Sequence, residues 1–230
     1  MLKKLKELRC VHRQDIKHHP ACFAKGLIKG VTFADDREWS KTTGQEWYSF
    51  PEYKLGYLDI ETDGLTADFG TMLTWCIKDK GGDIHSSVVT KKELFDDKGD
   101  QRLVEDLIKK LWEYKIIITY YGTGFDLPFV RTKALRYGFK FPGYGDIFHW
   151  DMYYTVKNKL CLSRNSLANV CDYLGIYGKT EINKDVWRRA KYGDTNALKQ
   201  VLEHNKGDVI ILERLHDELE FSRKWIKKSI

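Results

Sequence analysis

The chain has no apolar run approaching the roughly 18 residues that span a bilayer. Its start, Met1-Leu2-Lys3-Lys4-Leu5-Lys6, contains no long hydrophobic stretch of the kind that opens a secretory signal. These absences argue against a membrane protein and a secreted one; a soluble chain, cytoplasmic or nucleoid-associated, is expected. Cysteine is scarce as well: five in 230 residues, an odd number, do not make a disulfide framework. Free thiols or metal ligands in a reducing compartment are expected instead. There is no internal repeat and no low-complexity tract. The length suffices for one large domain, or one domain with a small appendage, burying a substantial core.

The net charge of +6 arises from 39 basic and 33 acidic residues, and its distribution is uneven. Residues 1–30 carry eight Lys/Arg against Glu7 and Asp15, and residues 221–230 carry Arg223, Lys224, Lys227 and Lys228 with no acid. The stretch between them is therefore net acidic. Basic ends around an acidic region suit a polyanionic substrate, because cationic side chains gain affinity by releasing phosphate counterions. The alternative is that the ends are solubilising surface.

Within the acidic region, three local patterns carry chemistry. In Gly56-Tyr57-Leu58-Asp59-Ile60-Glu61-Thr62 an apolar run is broken by acids at alternate positions. In a strand, residues i and i+2 face the same side, so Asp59 and Glu61 share a face. Their repulsion is relieved by protonation or by a divalent cation between them, and hard oxygen ligands suit magnesium or manganese. The alternative is an exposed strand face with two solvated acids. In Tyr121-Gly122-Thr123-Gly124-Phe125-Asp126, Asp126 sits at a strand-to-helix junction. Gly122 and Gly124 there would admit a close substrate strand; alternatively Asp126 is a helix N-cap. In Glu203-His204-Asn205-Lys206-Gly207-Asp208, His204 and Asp208 lie four apart on one helix face. A histidine beside a metal-ligating aspartate is placed to act as a general base, whereas the alternative is a polar pair on a wet face.

Residues 1–54 form a small appendage and linker, with a polar stretch around Asp35 to Gln45 that shows no clear periodicity. From Leu55 the pattern is α/β. Strands are predicted at 55–61, 71–77 and 83–89, the last two separated by Gly81-Gly82, followed by Leu103, Leu107, Ile108 and Leu111 at helical spacing. A further strand is predicted from Lys115 to Tyr121, and mostly helices thereafter, one of them opening at Ser163 as its N-cap. Asp151, after an apparent strand, reads as structural rather than catalytic.

In their order and spacing, Asp59-Ile60-Glu61-Thr62, Gly124-Phe125-Asp126-Leu127-Pro128-Phe129 and His204-Asn205-Lys206-Gly207-Asp208-Val209 resemble the three motifs of the DEDD superfamily of 3′–5′ exonucleases. The resemblance covers roughly residues 55–220. It implies an α/β fold with a ribonuclease H-like mixed central sheet flanked by helices, occupying 55–230 behind the amino-terminal appendage. It further implies two Mg²⁺ or Mn²⁺ ions: Asp59, Glu61 and Asp208 ligate one, Asp59 bridges to the second, and Asp126 acts partly through water. The activity implied is in-line hydrolysis of the terminal phosphodiester of nucleic acid, with single-stranded DNA favoured and RNA possible, and with His204 activating the attacking water. Tyr121, Phe125 and Phe129 are candidates to stack a terminal base.

The pattern departs from the family at two points. Gly122 stands where the second motif often has Asn, and His204 occupies the spacing usual for Tyr. Alternative readings are an RNA-trimming or structure-dependent nuclease of the same fold, and a non-catalytic nucleic-acid-binding module.

The appendage holds Cys10-Val11-His12 and His18-His19-Pro20-Ala21-Cys22. Cys10, His12, His19 and Cys22 could close a tetrahedral zinc site, since thiolates and imidazoles are the usual structural ligands. The alternative is unliganded surface histidines with buried cysteines. Protein purified without added zinc is expected to contain about one equivalent of it, measured by atomic emission and lost in Cys10→Ser/Cys22→Ser. A metal-free wild type with an ordered appendage would eliminate the site.

Overall fold

The computed structural model describes residues 54–143, 145–178, 180–220 and 222. The expected appendage, apart from Lys54, lies outside the described residues, and so does the cluster of Cys10, His12, His19 and Cys22. Five strands make one mixed sheet: β1 (Leu55–Thr62), β2 (Met72–Asp79), β3 (Ile84–Val88), β4 (Ile116–Thr119) and β5 (Phe148–Asp151), in the order β3-β2-β1-β4-β5. Pairing is antiparallel for β1 with β2 and β2 with β3, and parallel for β1 with β4 and β4 with β5. Helices α1 (Lys91–Leu94), α2 (Gln101–Leu111), α3 (Asp126–Tyr137), α4 (Met152–Lys159), α5 (Leu167–Leu174), α6 (Lys184–Lys191) and α7 (Thr195–Leu219) complete the described residues. The expected ribonuclease H-like order of three antiparallel strands, a helix, a further strand and then mostly helices is observed, with a short extra helix, α1, before α2 and with β5 among the later helices. No helix among the described residues is long and apolar enough to cross a membrane.

The central strand shows why the sheet is covered on both sides. Leu55, Gly56, Tyr57 and Leu58 are all buried, as a strand between two helical layers requires. Leu55 and Tyr57 join the apolar cluster with Ile211, Leu212 and Leu215 of α7, while Leu58 and Ile60 join the one containing α2 and α3. Alternation then places Asp59 and Glu61 on the Tyr57 face, toward α7. Pairing of β1 with β4 spans only Leu55 to Tyr57, so the acidic end of β1 runs past β4.

Helix α7 has 25 residues, about 37 Å at 1.5 Å per residue, and lies against β1, β2 and β3. Its buried residues Val201, Asn205, Asp208, Val209, Leu212, Leu215 and Leu219 recur every three to four positions, the period of one helix face. The Asp194 side chain caps its start, accepting from Ala197 N at 2.9 Å.

Most predicted strand ends shift by a residue or two, and two of the displaced boundaries have an identifiable cause. The strand expected to reach Tyr121 stops at Thr119, because Asp151 accepts hydrogen bonds from Tyr121 N at 2.8 Å and Thr123 N at 2.9 Å and folds the segment into a turn. Tyr121 there has φ 66°. The helix expected to open at Ser163 opens after Ser166, whose Oγ accepts from Asn169 N at 3.4 Å. The residues between are held outside the helix: Tyr120 donates to Asn165 O at 2.5 Å and Asn169 Nδ2 to Arg164 O at 2.8 Å.

A buried polar knot joins the sheet to α2 and α3. Asp100 Oδ2 accepts from Met72 N at 2.7 Å and lies 3.2 Å from Lys133 Nζ, and Oδ1 accepts from Tyr137 Oη at 2.6 Å. Both charged residues are at most 5% exposed. Removing one partner of such a pair strands the other charge. Asp100→Ala is therefore expected to lower the urea-unfolding free energy by about 3–5 kcal/mol, and adding Lys133→Met to recover part of that loss. A double variant no more stable than the single one would show that the stranded ammonium is not the cause.

Candidate metal and catalytic site

Five expected site residues come from three elements, and the structure gathers them at the acidic end of β1. Glu61, His204 and Asp208 each offer a donor atom, and these atoms all lie within 4.8 Å of one another. His204 Nε2 is 3.7 Å from Glu61 Oε1 and 3.8 Å from Asp208 Oδ2, too far for direct hydrogen bonds. The opposite ring nitrogen, Nδ1, is 2.9 Å from Thr180 Oγ1. The ring of Trp187 meets the imidazole edge-on at 6.3 Å between centroids.

Asp59 and Asp126 stand outside that triplet, each held by its own hydrogen bond. Asp59 Oδ2 accepts from Asn205 Nδ2 at 2.5 Å, and Asn205 Oδ1 accepts from Thr74 Oγ1 at 3.1 Å. Asp126 Oδ1 accepts from the backbone N–H of Ile60, the residue between Asp59 and Glu61, at 3.1 Å. Asp126 is the first residue of α3, and Phe125 holds the N-cap position, so the alternative role of Asp126 as that helix's cap is not the one observed. Burial pushes its carboxyl up to about 7, backbone hydrogen bonds from its own N–H and from Ile60 oppose the rise, and the charge of Asp151 adds to it. Opposite Asp59 in the sheet, Cys76 is fully buried, and its thiol is pushed far above the usual range by burial and by the Asp59 charge. It is an inert core residue.

Two expectations about the second pattern change. A Cβ at Gly122 would lie 2.3 Å from Thr119 Oγ1, and one at Gly124 would lie 2.5 Å from the Tyr121 ring. These glycines therefore accommodate the fold's own side chains rather than an incoming strand. Phe129, a candidate for base stacking, is 3% exposed and belongs to the core; Phe125 is half-buried, and Tyr121 is exposed. Asp151 does what a structural acid does, accepting from Tyr121 N, Thr123 N and Tyr153 N.

Asn205, Thr180 and Trp187 were not singled out by sequence reasoning. Only Asn205 carries a signal in the sequence, an amide at helical spacing among the apolar positions Val201, Val209 and Leu212 of α7. The donor set fits a divalent cation. Glu61 and Asp208 converge closely enough for their charges to repel unless a cation or proton intervenes, and carboxylate oxygens are the donors that magnesium and manganese take.

Comparison with known proteins adds the fold's relationships. A family B DNA polymerase from the hyperthermophilic archaeon Pyrobaculum calidifontis superposes with a TM-score of 0.59 at 17% identity, over 74% of this chain. The match covers 25% of the polymerase, so the chain spans about a quarter of that protein's length. Comparison with curated proteins returns no match. The family model of the RNase H superfamily matches residues 56–220, from the second residue of the first strand to just past the end of the last helix. With that span matched and the mixed sheet in place, this chain belongs to the RNase H superfamily.

Proposed function

We propose that the chain is a divalent-cation-dependent 3′–5′ exonuclease that hydrolyses single-stranded DNA. The observation that carries this reading is the convergence of Glu61, His204 and Asp208, with Asp59 and Asp126 tied to the same end of β1. The superfamily supports a nuclease fold, and the structural neighbour, a DNA polymerase, supports reading the substrate as DNA.

Asp59, Glu61, Asp126 and Asp208 would hold two Mg²⁺ or Mn²⁺ ions. Bound there, the ions supply charge stabilisation to the attacking and leaving oxygens. The protein's own contribution is position and a base. If Nδ1 of His204 carries the ring proton and donates it to Thr180 Oγ1, Nε2 is left as an acceptor facing the acids, ready to take a proton from water. Trp187 supports the ring from its edge. On the loop after Glu61, Leu65 and Phe69 are 86% and 89% exposed, and they present apolar surface to an unstacked terminal base.

The test is a gel assay on 5′-labelled single-stranded DNA, duplex DNA and RNA with Mn²⁺ and with EDTA. A ladder shortening from the 3′ end, strongest on single-stranded DNA and absent in EDTA, is expected. Asp59→Asn, Glu61→Gln, Asp126→Asn and Asp208→Asn should each lose more than roughly the hundredfold typical of an outer-sphere partner. A wild type inert on every substrate, or a quadruple variant as active as wild type, would end the proposal. His204→Ala is expected to lower kcat by about 10²–10⁴-fold with a smaller change in KM, and to alter the acidic limb of the pH–rate profile. Rescue of this variant by excess Mn²⁺ would instead make His204 a ligand.

The raised Asp126 carboxyl fixes a further outcome, for protein freed of divalent ions. An unfolded aspartate titrates near 3.9, whereas Asp126 holds its proton to about 7 when folded. Between these values the folded state binds the extra proton, so stability should fall as pH rises through this window and level off above it. Urea unfolding in EDTA at a series of pH values is the measurement; Asp126→Asn should flatten the decline, and an equal slope in both proteins would refute the assignment.

A further inference from the structure

Outside the acidic site, cations gather around a shaped surface at the carboxyl end of α6. A hollow of about 340 Å³ is lined by Lys91, Arg188, Arg189, Tyr192 and Asp194. We infer that this hollow binds the sugar–phosphate backbone of the single-stranded substrate, inward of the end held at the acidic cluster; the inference rests on the nuclease reading for the direction in which the strand runs.

Helix α6 has four cations, Lys184, Arg188, Arg189 and Lys191, against the single acid Asp185. The acids nearby fix some of these cations without cancelling the excess. Arg189 forks onto Asp194 Oδ2 through Nε at 3.0 Å and Nη2 at 2.7 Å, which sets its guanidinium as one wall of the hollow. Among the described residues Arg188 makes one bond, Nη2 to Asp185 Oδ1 at 2.6 Å, and its side chain is 72% exposed, which leaves its remaining donors available to a ligand. Lys91 meets no carboxylate among the described residues. Its stem packs where Gly193 turns the chain: φ there is 77°, and a Cβ would lie 2.7 Å from Lys91 Cγ. Glycine at this position thus lets α1 close against the end of α6, which makes a hollow of what would otherwise be a flat patch. Tyr192, 65% exposed on its rim, supplies a flat ring on which any base can stack.

Placement ties the hollow to the acidic site. Trp187, one residue before Arg188, packs on His204. Lys191 Nζ lies 3.6 Å from Asp63 Oδ2, two residues past Glu61. Helix α6 is therefore the wall between acids and hollow, and the cations follow one another along it at 184, 188 and 191. A solvated helix face accounts for exposed lysines, but not for a cation-walled concavity with an exposed aromatic on its rim beside a cluster of acids. Backbone phosphates match the cations, and bases match the ring.

The test measures binding of full-length protein to a 5′-fluorescein oligothymidylate by anisotropy, in Ca²⁺ to suppress hydrolysis, across a salt series. Lys91→Ala/Arg188→Ala is expected to weaken binding about tenfold and to reduce the log–log salt slope by about 1.4, two contacts at roughly 0.7 each for a single strand. Tyr192→Ala should cost roughly tenfold with the salt slope unchanged. Lys109→Ala/Arg136→Ala, an equal charge change on α2 and α3, is the control. If the first double variant loses no more affinity or slope than the control, the inference falls. Failure of the nuclease reading shows separately: a wild type that binds the oligonucleotide through this hollow yet never shortens it would refute the exonuclease and leave the binding surface standing.

Discussion

The fully buried side-chain amide of Asn205 fixes how α7 lies on the sheet. Apolar contacts between a long helix and a sheet are non-directional, and a stripe of Val, Ile and Leu tolerates sliding. Asn205 does not tolerate it, because its Nδ2 donates to Asp59 and its Oδ1 accepts from Thr74. Shifting the helix by one turn would bury both groups unpaired, at about 1–3 kcal/mol each. The residues flanking this pin are His204 and Asp208, so the bond that registers the helix also sets them against Glu61. A second pin lies farther along the same face, where Tyr57 Oη and His216 Nδ1 are 2.8 Å apart in the core.

Asp126 depends on a different device. The turn after β4 contains Tyr121 at φ 66°, a conformation that costs a non-glycine residue of order 1–3 kcal/mol. The carboxylate of Asp151 offsets this with charge-assisted bonds from Tyr121 N and Thr123 N, while Thr119 Oγ1 accepts from Gly122 N at 3.1 Å and meets His149 Nε2 at 2.7 Å. Held in this way, the turn delivers Asp126 to the N–H of Ile60, beyond the stretch where β4 pairs with β1. The carboxylate thus replaces a missing strand at the edge of β1, in a place so dry that its charge is disfavoured. Acids kept where their ionisation is costly are common at functional sites.

What could be read from the sequence was what depends on near neighbours. Alternation placed Asp59 and Glu61 on one face, the helical period placed His204 beside Asp208, and the order of apolar runs gave the sheet and its helices. Features set by distant partners could not be read. The end of β4 is decided by Asp151, thirty residues on; the orientation of His204 by Thr180, twenty-four residues back; and the use of Asp126 by Ile60, sixty-six residues away. Gly122 and Gly124 illustrate the same limit. Glycine announces a close approach but not what approaches, and here it is Thr119 and Tyr121. Ser163 and Ser166 are equally good caps by residue type, and the choice between them is made by Tyr120 and Asn169 holding residues 164 and 165 out of the helix.

The arrangement of opposite charges follows from what a nucleic-acid strand would require of it. A floor of acids repels phosphate until cations cover it, so the acids alone cannot gather a polyanion. The cations of α6 and α1 sit at the rim, exposed, where their attraction reaches about a Debye length, roughly 10 Å at 0.1 M salt. The acids are recessed and less screened, and there electrostatic interactions are strongest per unit charge. Salt should therefore act mainly on encounter and retention of the strand, and divalent cations mainly on the chemical step. The ion pair of Lys191 with Asp63 lies where the two regions meet, so the same backbone segment that carries Glu61 into the floor also anchors the rim.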